Sequence, residues 1–397
     1  MYIDKHNINQ IIKKINLSNK PFCIFENEII NFFETISNTI LSKKKFSQFP
    51  DLVAFGFWCR KKNLINISEN YQQKQIGRGL VFHISPSNVP MNFAFSLAFG
   101  LLSGNCNLVR LPSIEFVQVK LLCNLIDEII NKKRFKNLKK KIFLVSYNRS
   151  EEISKILSIK SDARMIWGGD ETIKSFKYFE TKPKCVDLTF SNRFSISLIN
   201  SEVYSKLNNL KRKKLINNFI KDCFTMDQQG CSSPKAVFWV GKCKKKNKEQ
   251  FWDEINKDLN KKNNFDLSKT NKKIYQIHKN ILSNPNIYKV NSSNFQTVRL
   301  NLLKGKKNLN IENFQAGYGT FIEIDIKNVK DIKKYISEKC QTITQFGFNS
   351  DDIKKIIIEE NFRGVDRIVK MGMAFEISNI WDGYDIINIL SRKITSI

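Results

Sequence analysis

The segment Gln228-Gln229-Gly230-Cys231-Ser232-Ser233-Pro234 carries the residue best suited to covalent chemistry. Gly230 lets a backbone come close to a ligand, Ser232 and Ser233 are small, and Pro234 fixes the exit from the turn. A thiol on such a turn, with backbone N–H groups nearby, can act as a nucleophile and keep a donor for an oxyanion. Read from the turn alone, Cys231 is more simply one buried cysteine among nine. A second candidate is Asn88, in a turn after the apolar run Leu80–Ile84. It falls at the carboxyl end of a predicted parallel strand, where open α/β sheets bind ligands, and its amide can donate to a carbonyl oxygen that becomes anionic. The competing role is to cap the helix that follows. Arg110 ends the next predicted strand and can meet a nucleotide phosphate or ribose, or simply be solvated. Trp167-Gly168-Gly169-Asp170-Glu171 opens a helix after a strand, so its N–H groups can face a phosphate.

Other chemistries are disfavoured by residue usage. The chain has no Cys-x-x-Cys pair, and only His6, His83 and His278 are available, so neither a zinc site, a disulfide framework nor a histidine acid/base cluster is indicated. No metal is expected.

The elements that must position these residues follow from hydrophobic spacing. Leu80–Ile84 is a buried strand and Ser85-Pro86-Ser87-Asn88 a turn; Met91 to Ser103 is an apolar helix closed by Gly104. Leu108–Leu111 is a second strand, and Ser113 is placed to cap a helix with Ile114, Val117, Leu121, Leu125 and Ile129 at three- and four-residue steps. Ile142–Val145 and Ala163–Ile166 are further strands, each followed by a helix. Repeated βα units favour a parallel sheet with helices on both faces, a nucleotide-domain pattern. After Asn192 a strand at Phe194–Ile199 precedes a long basic helix, about 203–225. A strand at Ala236–Val240, a helix near 249–259, strands near Val298 and Phe321 and helices near Val329 and Ile353 complete a second α/β unit. The Lys- and Asn-rich stretches 131–141, 243–248 and 256–273 read as solvated loops or helix ends.

The chain has 397 residues, 42% apolar and 12% aromatic with 31 Phe, enough for sizeable cores and against disorder. Its formal charge of +29 admits nucleic acid, anionic membrane or acidic ligands as partners. The Lys runs are interleaved with Asn rather than aromatics, which speaks for compositional bias and against a nucleic-acid-binding platform. The N-terminus lacks the apolar core of a signal peptide, and the longest apolar stretch, Val89 to Val109, is broken by Asn92, Gly100, Gly104 and Asn105. A cytoplasmic protein with no membrane span is expected.

Four segments occur in a recognisable order: "GLVFHISPSNVPMNFAFSLAFGLLSGNCNLVRLPS", "IWGGDETI", "DQQGCSSPKAVFWV" and "RGVDRIVKMGMAFEISNIWDGYDIINILSRK". From Gly77 to Arg392 the chain resembles the acyl-CoA reductases of the aldehyde dehydrogenase superfamily, specifically the LuxC-like long-chain fatty-acyl-CoA reductase of bacterial luminescence. The resemblance implies an aldehyde dehydrogenase-like α/β fold with two Rossmann-like domains, nucleotide-binding and catalytic, and the active site between them. It divides the chain into an N-terminal helical or irregular segment (1–70), a nucleotide-binding domain (71–199), a catalytic domain (200–360), and a C-terminal segment (361–397) folding back on the active site or a subunit interface. In that family Cys231 matches the nucleophile and Asn88 the amide that holds the oxyanion together with the nucleophile's own N–H. Ser85, Pro86, Arg110, Ser113, Trp167, Gly168 and Gly169 match the cofactor-binding positions.

The implied reaction is reduction of an acyl thioester to an aldehyde by a reduced nicotinamide, through an acyl-cysteine. Its acyl donor would be acyl-CoA or an acylated partner protein such as an acyl-protein synthetase, and the protein a homo-oligomer. The superfamily's water-activating Glu-Leu-Gly-Gly motif is missing: the corresponding "CVDLTFSNRFS" has only Asp187, for which a structural role is expected. Its Glu-x-Phe-Gly-Pro segment is also absent, with "AGYGTFIEID" roughly in its place. Ser113 stands where NAD-preferring relatives often carry an acid. Without that repulsion of a 2′-phosphate, NADPH is favoured. The alternatives are a short aldehyde or semialdehyde dehydrogenase working oxidatively, a basic nucleic-acid-binding protein, or a relative retaining only the fold.

Overall fold

The computed structural model describes residues 7–395 except 17–19, 73, 262–266, 293–295, 303–310 and 315–316. His6, the first residues of the N-terminal reading, Ala316 and the middle of the stretch 256–273 lie outside the described residues. The chain forms two compact units: residues 1–191 with 377–397, and residues 192–376.

In the first unit five parallel strands are β1 (Leu80–Ile84), β2 (Cys106–Arg110), β3 (Ile142–Val145), β4 (Ala163–Trp167) and β5 (Val186–Phe190), in spatial order β3-β2-β1-β4-β5. Side chains alternate across a strand, so one run feeds two cores. Val81, Val109, Ala163 and Met165 join the helices Asn92–Leu102 and Val117–Ile130. Leu80, Phe82, Ile84 and Leu108 join Glu151–Lys160 and Asp170–Lys177 on the other side. The predicted strands and helices of this unit are present, with two corrections. Ser113 caps nothing: the next helix starts at Val117 with Phe116 before it and no side-chain cap. Ile114 and Val117 are exposed and Leu121 is half-buried; Leu125 and Ile129 are buried as expected, joined by Val119, Leu122 and Ile126.

The described part of the N-terminal segment is mostly helical. In Asn27–Ser42 the residues Ile29, Phe32, Phe33, Ile36 and Ile40 recur at helical spacing and are all buried. Burying each such side chain contributes roughly 1.5–3 kcal/mol. The C-terminal segment completes the same core. Trp381-Asp382-Gly383-Tyr384 is a two-residue hairpin with φ +50° at Asp382 and +78° at Gly383, the left-handed pair that an Asp-Gly turn supplies. Tyr384 meets Phe190 edge-on at 5.8 Å, and Trp381, Ile386, Ile387 and Leu390 are buried. Ser391–Lys393 pairs antiparallel with Gln75–Gly77, tied by Ser391 Oγ to Gln75 Oε1 at 2.6 Å.

A buried polar cluster lies against β1. His83, fully buried, places Nδ1 2.8 Å from Ser96 Oγ and Nε2 2.9 Å from Asn107 Oδ1. Asn107 Nδ2 donates to Asn105 O, so its Oδ1 is the atom facing the ring, and the hydrogen-bond network assigns the proton to Nε2. Burial pushes the His83 imidazole down to about 4, against the opposing pull of Asn107. The unfolded chain therefore binds a proton that the folded chain refuses between pH 6.5 and about 4. Stability from this group is fully present above pH 6.5 and lost as pH falls, by roughly 3 kcal/mol in all. Urea unfolding of wild type and His83→Gln between pH 7 and 4.5 checks this: the wild-type decline should be steeper, and equal slopes would contradict it.

Among the described residues the second unit holds seven strands: β6 (Phe194–Asn200), β7 (Pro234–Val240), β8 (Ile287–Ser292), β9 (Val298–Leu302), β10 (Thr320–Ile326), β11 (Cys340–Phe346) and β12 (Arg367–Lys370). Their order is β12-β11-β6-β7-β10-β9-β8, parallel except for the antiparallel β8–β9 edge pair. The strand Phe194–Asn200, counted with the nucleotide-binding domain in the sequence analysis, pairs here with β7 and β11. The long basic helix is two helices, Ser201–Ser205 and Asn209–Phe224, because Asn200 and Asn208 each cap a new start. Of the stretch read as solvated loops or helix ends, residues up to Asn260 end the helix Lys245–Asn260 and those from Leu267 open the helix Leu267–Ser283, in which Ile277 is buried.

Candidate active site

Cys231 lies just before β7 in a turn closed by Ser233 N–H to Gly230 O at 3.0 Å. It is exposed, so the buried-cysteine reading does not hold. The approach to the turn is unusual. Asp227 and Gln228 adopt φ of +49° and +61°, strained for residues with a Cβ, and hold that shape through several bonds. Gln228, buried, donates to Pro234 O (2.8 Å) and Thr320 O (3.0 Å) and accepts from Gly319 N–H (3.1 Å). Asp227 O accepts from Tyr318 N–H, and Asp227 is paired with Lys269 at 2.7 Å.

Polar side chains of β6 and β11 hold Cys231 itself. Ser195 Oγ donates to Cys231 O (2.7 Å) and accepts from Thr342 N–H (3.2 Å). Gln341 Nε2 donates to Cys231 Sγ at 3.4 Å. Ser232 is buried and donates to Gln341 Oε1 (3.0 Å), so it braces the turn rather than leaving room. Gly230 also has a role different from the expected approach of a ligand. A Cβ there would sit 2.8 Å from Phe375 Cε1, so the absent side chain admits the Phe375 ring.

Phe375 is held from two sides. Asp222, buried in the helix Asn209–Phe224, accepts from Gly372 N–H (2.6 Å) and Ala374 N–H (2.9 Å), while Arg367 donates to Ala374 O (2.8 Å), Met373 O and Glu376 O. Burial raises the Asp222 carboxyl to about 6, with the two N–H donors pulling the other way. Asp222→Ala leaves both amides without their acceptor and is expected to cost about 2–4 kcal/mol in urea unfolding. A loss below about 0.5 kcal/mol would show that the loop does not depend on this clamp.

Eight of the candidates belong to the first unit. Ile84 pairs with Arg110 and Ile166, so Ser85, Pro86 and Asn88 after β1, Arg110 at the end of β2, Trp167 at the end of β4, and Gly168 and Gly169 just after it gather at neighbouring carboxyl ends. Asn88 is exposed, and the following helix begins at Asn92 with no side-chain cap, so Asn88 does not cap it. Arg110 stacks its guanidinium 4.5 Å above the Tyr147 ring. Ser85 Oγ is buried and has no hydrogen-bond partner among the described residues. The Gly168 N–H is taken by Phe190 O (3.2 Å), and Trp167 stacks on Phe190 at 3.7 Å with its indole N–H on Ser96 Oγ, so its ring packs into the core. Ser113 is exposed in a bend beyond β2. Asp187 is structural, bridging both oxygens to Arg164. Gln228, Gln341, Asp222 and Phe375 were not singled out by sequence.

A family model described as acyl-CoA reductase (LuxC) matches residues 62–393. The chain belongs to the LuxC acyl-CoA reductase family. It is thereby placed among oxidoreductases. No curated protein sequence matches it. Among solved structures it is similar to succinic semialdehyde dehydrogenase from Streptococcus pyogenes in complex with NADP+ (10% identity, TM-score 0.62, covering 94% of this chain and 88% of that one). It is likewise similar to glyceraldehyde-3-phosphate dehydrogenase GapN from Methanocaldococcus jannaschii complexed with NADP (12%, 0.63, 99% and 94%). Against a bifunctional proline utilization A protein (10%, 0.62) it covers 94% of itself but only 41% of that longer chain. These likenesses establish the aldehyde dehydrogenase-like α/β fold. No helix among the described residues of this LuxC-family chain is long and apolar enough to cross a membrane.

Proposed function

We propose that this LuxC-family protein reduces an acyl thioester to an aldehyde with NADPH, through an acyl group held on Cys231. The observation that carries it is the exposed Cys231 thiol on a turn braced by Gln228, Ser195 and Gln341. The Cys231 thiolate attacks the thioester carbonyl; a carbon–sulfur bond forms, the bond to coenzyme A breaks, and its thiolate leaves to take a proton from water. Asn88 and the Cys231 N–H hold the oxyanion of each tetrahedral stage. The reduced nicotinamide, when bound, supplies the hydride that the acyl carbon needs. The resulting thiohemiacetal collapses, releasing the aldehyde and restoring the Cys231 thiolate. With no water-activating glutamate in the "CVDLTFSNRFS" stretch, and Asp187 occupied by Arg164, hydrolysis of the acyl-cysteine has no evident base there.

The residues of the first unit suit a dinucleotide. Ser85 offers a buried hydroxyl with unused hydrogen-bonding capacity, Arg110 a cation fixed by Tyr147, and Ser113 no negative charge to repel a 2′-phosphate. The donor is acyl-CoA or an acylated partner protein, and the protein assembles as a homo-oligomer in the cytoplasm. Mass spectrometry of the protein with a panel of acyl-CoAs, without NADPH, tests the reading. An acyl adduct on the Cys231 peptide that clears when NADPH is added, with aldehyde released, is expected. Faster oxidation of aldehyde with NADP+ than reduction of any acyl-CoA would overturn it.

A further inference from the structure

We infer that Gln341 is a catalytic residue, its side-chain amide steadying negative charge on the Cys231 sulfur. The inference rests on the reading of Cys231 as the nucleophile. Gln341 is 1% exposed and lies near the start of β11, with Nε2 3.4 Å from Sγ. The other end of the amide is anchored to the turn and the strand. Gln341 Oε1 accepts from Ser232 Oγ at 3.0 Å and from Thr342 Oγ1 at 3.3 Å. Either hydroxyl can also accept from an amide N–H, so it is the ionised sulfur that sets the direction: a flipped amide would aim an acceptor at the thiolate and be repelled, whereas the N–H donates to it. The backbone of Cys231 is fixed by the same strand through the Thr342 N–H, Ser195 Oγ and Cys231 O relay.

The chemistry suits a neutral donor. A sulfur anion accepts more strongly than a thiol or thioester, so the N–H favours the thiolate before attack and again when sulfur departs from the collapsing thiohemiacetal. An amide does not titrate, so this support is constant across the working pH range. It also leaves the thiolate more basic, and hence more nucleophilic, than a neighbouring cation would.

The test is the pH profile of iodoacetamide alkylation, in which the thiolate displaces iodide, read by mass spectrometry on the Cys231 peptide alone. Gln341→Met keeps the length and removes the donor; its midpoint should rise by about one pH unit, with alkylation at neutral pH about tenfold slower. Gln341→Glu replaces the donor with a carboxylate oxygen and should move the midpoint at least as far. Ser232→Ala leaves Gln341 in place but loosens its amide, giving a smaller rise in the same direction, and it answers the question even where a buried Gln341 substitution prevents folding. Profiles of folded variants that superimpose on wild type would overturn the inference. Alkylation needs neither acyl-CoA nor nucleotide. A shifted profile in a protein that reduces no acyl-CoA would sink the reductase reading but not the thiol contact, and an unshifted profile in an active enzyme would sink the contact alone.

Discussion

Cys231→Ala should lower acyl-CoA reduction by at least about four orders of magnitude and abolish the acyl adduct, while the protein stays folded. The separation of the two effects follows from how the turn is built. The Cys231 side chain is exposed, so its loss opens no core cavity. The bonds that shape the turn run through main-chain atoms, Cys231 O to Ser195 Oγ and Gly230 O to Ser233 N–H, and through Gln228, none of which the substitution removes. The one contact the substitution removes is the Gln341 N–H to the sulfur, so unfolding free energy should fall by no more than about 1–2 kcal/mol. NADPH consumption followed by absorbance, with urea unfolding alongside, measures both. Residual turnover within tenfold of wild type would mean that the acyl group passes directly to the hydride without a covalent stage.

What could be read from sequence, and what could not, divides along physical lines. In the first unit each buried strand is a compact apolar run, and Leu80–Ile84 and Ile142–Val145 are found at the predicted residues. Val186–Phe190 escaped because its sequence, Val-Asp-Leu-Thr-Phe, carries Asp187, whose charge is neutralised by an arginine 23 residues earlier. The second unit hides its core strand better. Cys340–Phe346 contains Gln341, Thr342, Thr344 and Gln345, all buried, so this interior strand offers no compact apolar run from which a strand could be read. The same polarity concealed Gln341 from any search for functional residues. Cys231 and Asn88 stood out because a turn and a strand end are local features. The supports of Cys231 are partners over a hundred residues away in some cases, such as Gln341, and nothing in local spacing announces them.

Asn88→Ala should slow reduction by roughly a hundred- to a thousandfold, the scale seen when one oxyanion donor is removed. The two roles first open to Asn88 predict opposite patterns of damage. A helix cap would lose about 1 kcal/mol of stability on truncation and little activity. In the structure the helix Asn92–Leu102 starts beyond Asn88 with Met91 at its cap position and no side-chain cap, and Asn88 is exposed, so stability has little to lose. Activity without stability should then be the signature: a large fall in turnover, near-wild-type NADPH affinity and an unchanged urea midpoint. Asn88→Asp sharpens the comparison, because a carboxylate occupies the same volume but repels the developing oxyanion, and it should be at least as slow as alanine at neutral pH. A stability loss with turnover intact would return Asn88 to a structural part and leave the oxyanion to backbone donors.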